Sequence, residues 1–234
     1  MKPETLCLAP WTHTYLSPQT ERRMCCASRE KATWATQYID SEKADNNSDY
    51  SPNSLEEHWN SEHMKSVRRR MMAGETLPEC EVCNDKLLNT SVYRDYFTHL
   101  FAHKLDEIFS TTTPDGRTSL QPVSWDYRFS NLCNFKCRMC GDMLSSSWET
   151  EQRTHDMVDY SNPKNNWMQP NIRHAIQSFQ DDQVEAEFAA AVESHRVEEV
   201  YWVGGEPLMY EQHWRYMKRI VELGDGPRLY ARYN

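Results

Sequence analysis

This chain of 234 residues lacks any apolar run near the ~20 residues that cross a bilayer. Its opening MKPETLCLAPW lacks the apolar stretch at the heart of a secretory signal, so a cytoplasmic location is the expectation. An excess of positive charge is lacking too. Lys and Arg number 26 against 35 Asp and Glu, a net charge of −9. Such a chain gains little from counterion release on nucleic acid, and anionic membrane faces repel it. The one basic run, Arg68 to Arg70, falls on a predicted helix where successive side chains splay about 100° apart, which reads as a solvated face. No internal repeat is visible.

Cysteine, by contrast, is plentiful: Cys7, Cys25, Cys26, Cys80, Cys83, Cys133, Cys137 and Cys140, eight in all. An even number would suit disulfides in a secreted protein. Without an export signal, and with two groups at close ligand spacing, these thiols read as metal ligands in a reducing compartment.

The length accommodates two modest domains. In the first, Trp11 to Leu16 and Arg22 to Cys26 read as a hairpin around the turn Ser17-Pro18-Gln19-Thr20. Residues 40–53 are polar and breaker-rich, an expected loop. Ser54 with Glu57 is a capping box that opens a helix carrying Leu55, Trp59, Met64, Val67 and Met71 on one face and stopping at Gly74. Residues 92–110 read as another amphipathic helix, and TTTPDGR (Thr111 to Arg117) as the boundary between a domain at 1–110 and one at 118–234. The second half alternates: a strand at Val123 to Phe129, a helix from Ser145, an irregular insertion at 159–171, a helix at Gln183 to His195, a strand at Val200 to Val203, a helix at Glu211 to Leu223 and a strand from Leu229. Strands alternating with helices argue for parallel β/α units, whose chemistry sits at the C-terminal strand ends.

Two motifs fall at such ends. CNFKCRMC puts Cys133, Cys137 and Cys140 in one loop at C-x3-C-x2-C spacing, and GGEP follows the next strand at Gly204 to Pro207. Three thiols can hold three corners of an iron–sulfur cube and leave the fourth iron open for substrate, whereas an electron-carrying cluster normally takes four cysteines. Either motif alone is weak; a zinc knob with a remote fourth ligand would also fit the cysteines.

Together, and in this order, the motifs resemble the radical S-adenosylmethionine (SAM) enzyme superfamily. The resemblance implies a [4Fe–4S] cluster on Cys133, Cys137 and Cys140, with SAM chelating the open iron and its methionyl ammonium received by the backbone around Gly204, Gly205, Glu206 and Pro207. It also implies an external electron donor and release of a 5′-deoxyadenosyl radical toward the substrate. The usual aromatic residue before the last cysteine is Met139 here, whose thioether can pack on adenine. The N-terminal cysteines resemble the twitch or SPASM-type domains that carry an auxiliary iron–sulfur cluster, although those usually follow the barrel. Cys7, Cys25, Cys80 and Cys83 would be its ligands, with Cys26 a possible substitute for Cys25. A structural zinc ion suits the same four thiols. Where that family's hairpin has Gly, this chain has Thr20, which puts the turn geometry in question.

The expected fold is therefore α/β: an incomplete radical SAM β/α barrel behind a small α+β cysteine-rich domain, with the sequence expected to be cut short at its C-terminus. The expected function is reductive SAM cleavage directed at a peptide or protein substrate. The alternatives are an iron–sulfur electron-transfer protein and a zinc-stabilised binding module. His13 reads as a surface or packing histidine, Asp126 as either cavity-facing or salt-bridged, and Ser145 to Ser147 as a helix start.

Overall fold

The capping box forms: Ser54 accepts from the Glu57 amide and Glu57 returns a carboxylate to the Ser54 amide, opening helix α2, Leu55–Trp59. The helix does not continue unbroken to Gly74. Asn60 leaves it because its side-chain oxygen accepts from Arg68 and from the Thr118 amide, while its amide donates to the Thr118 carbonyl. Ser61 then caps a second helix, α3, Glu62–Met72. Both follow the short helix α1, Ala9–Thr12, which takes Trp11 out of the expected hairpin. The computed structural model describes residues 4–30, 50–85 and 92–234. Most of the loop expected at 40–53 lies outside the described residues.

Helix α4 covers Glu81–Asn84, α5 Val92–Leu100 and α6 Leu105–Thr111, so the helix expected at 92–110 is interrupted by a tight turn at Ala102–Lys104. Then come α7, Ser146–Thr154, α8, Pro170–Phe179, α9, Glu185–Glu193, and α10, Glu211–Glu222, with a π turn at Gln180–Val184 running α8 into α9. Among the described residues no helix is long and apolar enough to cross a membrane.

The strands are β1 (His13–Leu16), β2 (Arg22–Arg23), β3 (Ser124–Tyr127), β4 (Glu199–Trp202) and β5 (Tyr230–Tyr233), in one mixed sheet of order β2-β1-β3-β4-β5. Only the β1–β2 hairpin is antiparallel; β1, β3, β4 and β5 run parallel. The protein is thus mixed α/β. The strands of both expected domains share this sheet, since β1 pairs with β3 from His13↔Ser124 to Leu16↔Tyr127.

Alternation along the strands separates two faces. Trp125, Tyr127, Val200 and Trp202 turn into a core with Phe129, Phe188, Tyr216 and Ile220. Its centre is Phe188, which meets Trp125, Phe129 and Trp202 with tilted edges at 5.5 to 6.0 Å. The first half has its own core of Leu6, Leu8, Trp11, Met64, Val67, Met71, Phe97, Phe101 and Ile108. The opposite sheet face carries His13, Ser124, Asp126, Glu199, Tyr201 and Arg232, and it fronts the cavity described below.

Two local readings change. Thr20 does take the glycine conformation, at φ +64°, fully buried, with its hydroxyl bonded to the Gln19 carbonyl and to Tyr50. Those bonds offset the strain of a Cβ in the left-handed region. Arg68 is not on a solvated face. It is wholly buried, lies 4.8 Å over the Trp59 ring, and donates to Pro10 O at 2.8 Å and to Asn60 at 3.0 Å. Arg68 thereby ties α3 to both α1 and the α2 end. Arg68→Leu strands those acceptors and is expected to cost about 2–3 kcal/mol in urea unfolding; Arg69→Leu, at an exposed position, should change little.

Candidate functional site: two cysteine clusters around a shared wall

The loop after β3 is held in place by the segment that starts α7. Ser145 accepts from the Trp148 amide as the helix cap, as expected, and its hydroxyl also donates to Phe135 O at 2.7 Å. Ser146 accepts from the Cys133 amide at 2.9 Å, Ser147 donates to Cys133 O at 2.7 Å, and the Trp148 indole donates to Cys137 O at 3.1 Å. The run SSSW is therefore the clamp of the cysteine loop, a role sequence reasoning missed. Its signal was a run of hydroxyls one loop-length downstream of the cysteines.

The glycine turn after β4 is bonded to the same loop. Gly205 N donates to Leu144 O at 3.1 Å and Glu206 N to Leu132 O at 2.8 Å. Both glycines have positive φ, +84° at Gly204 and +68° at Gly205. A Cβ on Gly205 would lie 2.3 Å from the Tyr210 hydroxyl and 2.4 Å from Leu132 O; one on Gly204 would press on the Arg128 side chain at 2.8 Å. Sequence reasoning assigned the glycines to ligand approach. In the fold they let the two loops approach each other.

A cavity of about 850 Å³ opens over these loops and the polar sheet face, bordered by Cys133, Cys137, Cys140, Gly204, Gly205, Glu206, Met139 and Phe135. Its volume lies in the range of cofactor and small-molecule sites. Burial, then the neighbouring Cys137 and Cys133 charges, push the Cys140 thiol up, which reflects how close the three sulfurs stand. Met139 is 96 % exposed and Phe135 54 %, so both are apolar surfaces at the cavity edge. Pro207 is buried and starts a short turn at Pro207–Met209 without bordering the cavity.

Charges on the sheet face are paired. Asp126 borders the cavity and bonds Arg128 at 3.1 Å, so both of its expected roles hold. Arg232 donates to Glu199 at 2.7 Å and lies 4.1 and 4.5 Å from the Tyr201 and Tyr96 rings. His13 is a buried packing residue, 4.5 Å from the Phe97 ring.

The opposite wall comes from the N-terminal half: Cys26, Ala27, Ser28, Arg29, Val82 and residues Tyr93, Tyr96 and Phe97 of α5. Behind it lies a second, narrow cavity of about 20 Å³, room for roughly one water, which Cys7, Cys25, Cys80 and Cys83 all border. Ala27, Ser28, Val82 and Tyr93 border both cavities. Adjacent cysteines thus face opposite ways: Cys25 joins Cys7, Cys80 and Cys83, while Cys26 faces the large cavity beside Tyr93. Burial pushes the thiols of Cys7 and Cys80 up to about 12. Among the described residues no group of three or more His, Cys, Asp or Glu closes on a single metal ion. Ligands of a cube bind separate irons and stand wider than ligands of one ion.

The segment carrying Cys25 and Cys26 is tied by Glu30, which is buried and accepts from Met24 N at 2.8 Å, from Ser28 Oγ at 2.5 Å and from His63 at 2.6 Å. Burial works against the Glu30 charge, but the bond from His63 holds its carboxyl below the ordinary range. The same bond, against burial, raises the His63 imidazolium above its ordinary 6.5. A raised folded value stabilises fully below the unfolded one and fades as pH climbs through the folded one. Stability is therefore expected to fall as pH rises beyond about 6.5, and His63→Gln should flatten that slope in urea melts taken across pH 6 to 9.

Comparison with protein-family models, with curated proteins and with solved structures gives no match.

Proposed function

We propose that this chain is a radical SAM enzyme acting on a peptide or protein substrate, its parallel strands β1, β3, β4 and β5 forming part of a β/α barrel. The observation that supports this best is the hydrogen bonding of the C-x3-C-x2-C loop to the glycine turn, at adjacent strand ends, over a common cavity of about 850 Å³. Three thiols on one side of so large a space fit a cube with an open corner. Cys133, Cys137 and Cys140 would hold it. A reduced [4Fe–4S] cluster with bound SAM supplies a 5′-deoxyadenosyl radical.

The protein's own groups have narrower tasks. The amides of Gly205 and Glu206 are occupied by the cysteine loop, so the turn offers carbonyl oxygens to a methionyl ammonium. Met139 and Phe135, exposed at the edge, offer apolar surface to an adenine. The wall from Cys26 to Arg29 and α5 would exclude water from the reacting centre. The test is direct: the full chain, reconstituted with iron and sulfide without oxygen and reduced with dithionite, should convert SAM to methionine and 5′-deoxyadenosine. Binding of SAM without release of 5′-deoxyadenosine would instead favour the electron-transfer protein.

The N-terminal site is read as an auxiliary iron–sulfur cluster on Cys7, Cys25, Cys80 and Cys83. Zinc is the second reading there, favoured by the narrowness of the space between the thiols, about 20 Å³. Under either metal, Cys25→Ala is expected to remove the metal of this site and Cys26→Ala to leave it, as read by iron and zinc counts per chain. Equal retention in the two variants would mean that the cysteines exchange roles.

A further inference from the structure

The polar sheet face holds one acceptor with nothing to accept. His13 begins β1, borders the large cavity, and is 2 % exposed; its Nε2 is buried without a hydrogen-bond partner. The other ring nitrogen is committed. Nδ1 lies 2.6 Å from Ser124 Oγ, and the Ser124 hydroxyl donates its only proton to Glu199. Ser124 can then only accept from His13, which places the ring proton on Nδ1 and leaves Nε2 as a bare lone pair. Glu199 is itself fixed, taking bonds from Tyr96 at 2.5 Å and Arg232 at 2.7 Å. Three adjacent parallel strands thus build a relay of carboxylate, hydroxyl and imidazole across the sheet, at the strand ends away from the cysteine loop.

We propose that His13 Nε2 is a fixed hydrogen-bond acceptor for the molecule that occupies the large cavity, which must present an O–H or N–H group to it. An unpartnered buried acceptor costs free energy that only a ligand in this cavity can recover. The inference uses none of the cysteines and stands whether or not they hold clusters. His13 reads a donor and does not store a proton. Burial first, then the facing guanidiniums of Arg232 on β5 and Arg128 beyond β3, lower its imidazole to about 3. Asp126 on β3 and Glu199 on β4 face the same space, but each is paired to one of those arginines. Tyr96 of α5 is bonded to Glu199, and Tyr201 of β4 packs on Arg232.

Diethyl pyrocarbonate tests this on the full chain without any metal, because it modifies neutral imidazole at an accessible bare nitrogen. In the folded protein His13 should be carbethoxylated, with a rate that changes less than two-fold between pH 7.5 and pH 5. N-acetylhistidine in the same tube should slow about 30-fold, as an ordinary imidazole protonates. Nitrogen NMR of 15N-histidine-labelled protein should show the His13 proton on Nδ1. The proposal is overturned if His13 reacts only after unfolding in urea, if its rate follows the free histidine, or if Nε2 carries the proton.

Discussion

Alanine at Cys133, Cys137 or Cys140 is expected to reduce SAM cleavage by the reconstituted, reduced protein to the level of a metal-free control. Two thiolates leave two irons of a cube without protein ligands, and the geometry that presents the open corner is lost. The apo chain should melt within about 0.5 kcal/mol of wild type, because surface changes away from packed features seldom do more. Cys137 is exposed and the other two are half-buried, and the loop is held by its backbone through Ser146, Ser147 and Trp148. The combination is diagnostic: lost cleavage and lost iron with an unchanged apo melt. Retained 5′-deoxyadenosine production in any one of the three variants would remove the basis of the proposed chemistry.

Gly205→Ala should damage the fold itself, by about 2–5 kcal/mol from left-handed backbone strain and overpacking together. The new methyl has nowhere to go. It would lie 2.3 Å from the Tyr210 hydroxyl and 2.4 Å from Leu132 O, the second of which is backbone. Tyr210 in turn donates to Ser130 O at 2.5 Å, so displacing it disturbs the start of the cysteine loop. Gly204→Ala meets only the flexible Arg128 side chain and should cost less. Urea unfolding of both variants, with SAM cleavage measured alongside, separates this from a pure ligand-binding role. Equal stability of the two variants with weakened SAM binding alone would favour direct approach of the ligand to the turn.

Much of the local structure was legible in the residues. The capping box at Ser54 and Glu57, the stop at Gly74, the cap at Ser145 and the strand–helix alternation after residue 118 all depend on short-range rules, and all appear in the fold. What went astray depended on partners distant in sequence. The helix from Ser54 breaks because Asn60 answers Thr118. Arg68 is buried because Pro10 and Trp59 happen to lie where its guanidinium ends. Neither contact leaves a periodic trace.

For the candidate site, sequence by itself determined the donor types and their order: three thiols in one loop, a glycine turn after the next strand, and five more cysteines upstream. Spacing suffices there because the ligands of such a loop are close along the chain. Tertiary structure alone decided that Cys25 and Cys26 face different cavities, that the glycines serve the contact between two loops, and that β1 joins the sheet of the second half. It also decided that His13, Ser124 and Glu199 meet across three strands. Each of these rests on strand register and backbone direction. Register comes from pairing residues more than a hundred positions apart, as with His13 and Ser124, and those long-range contacts form only when the whole sheet does.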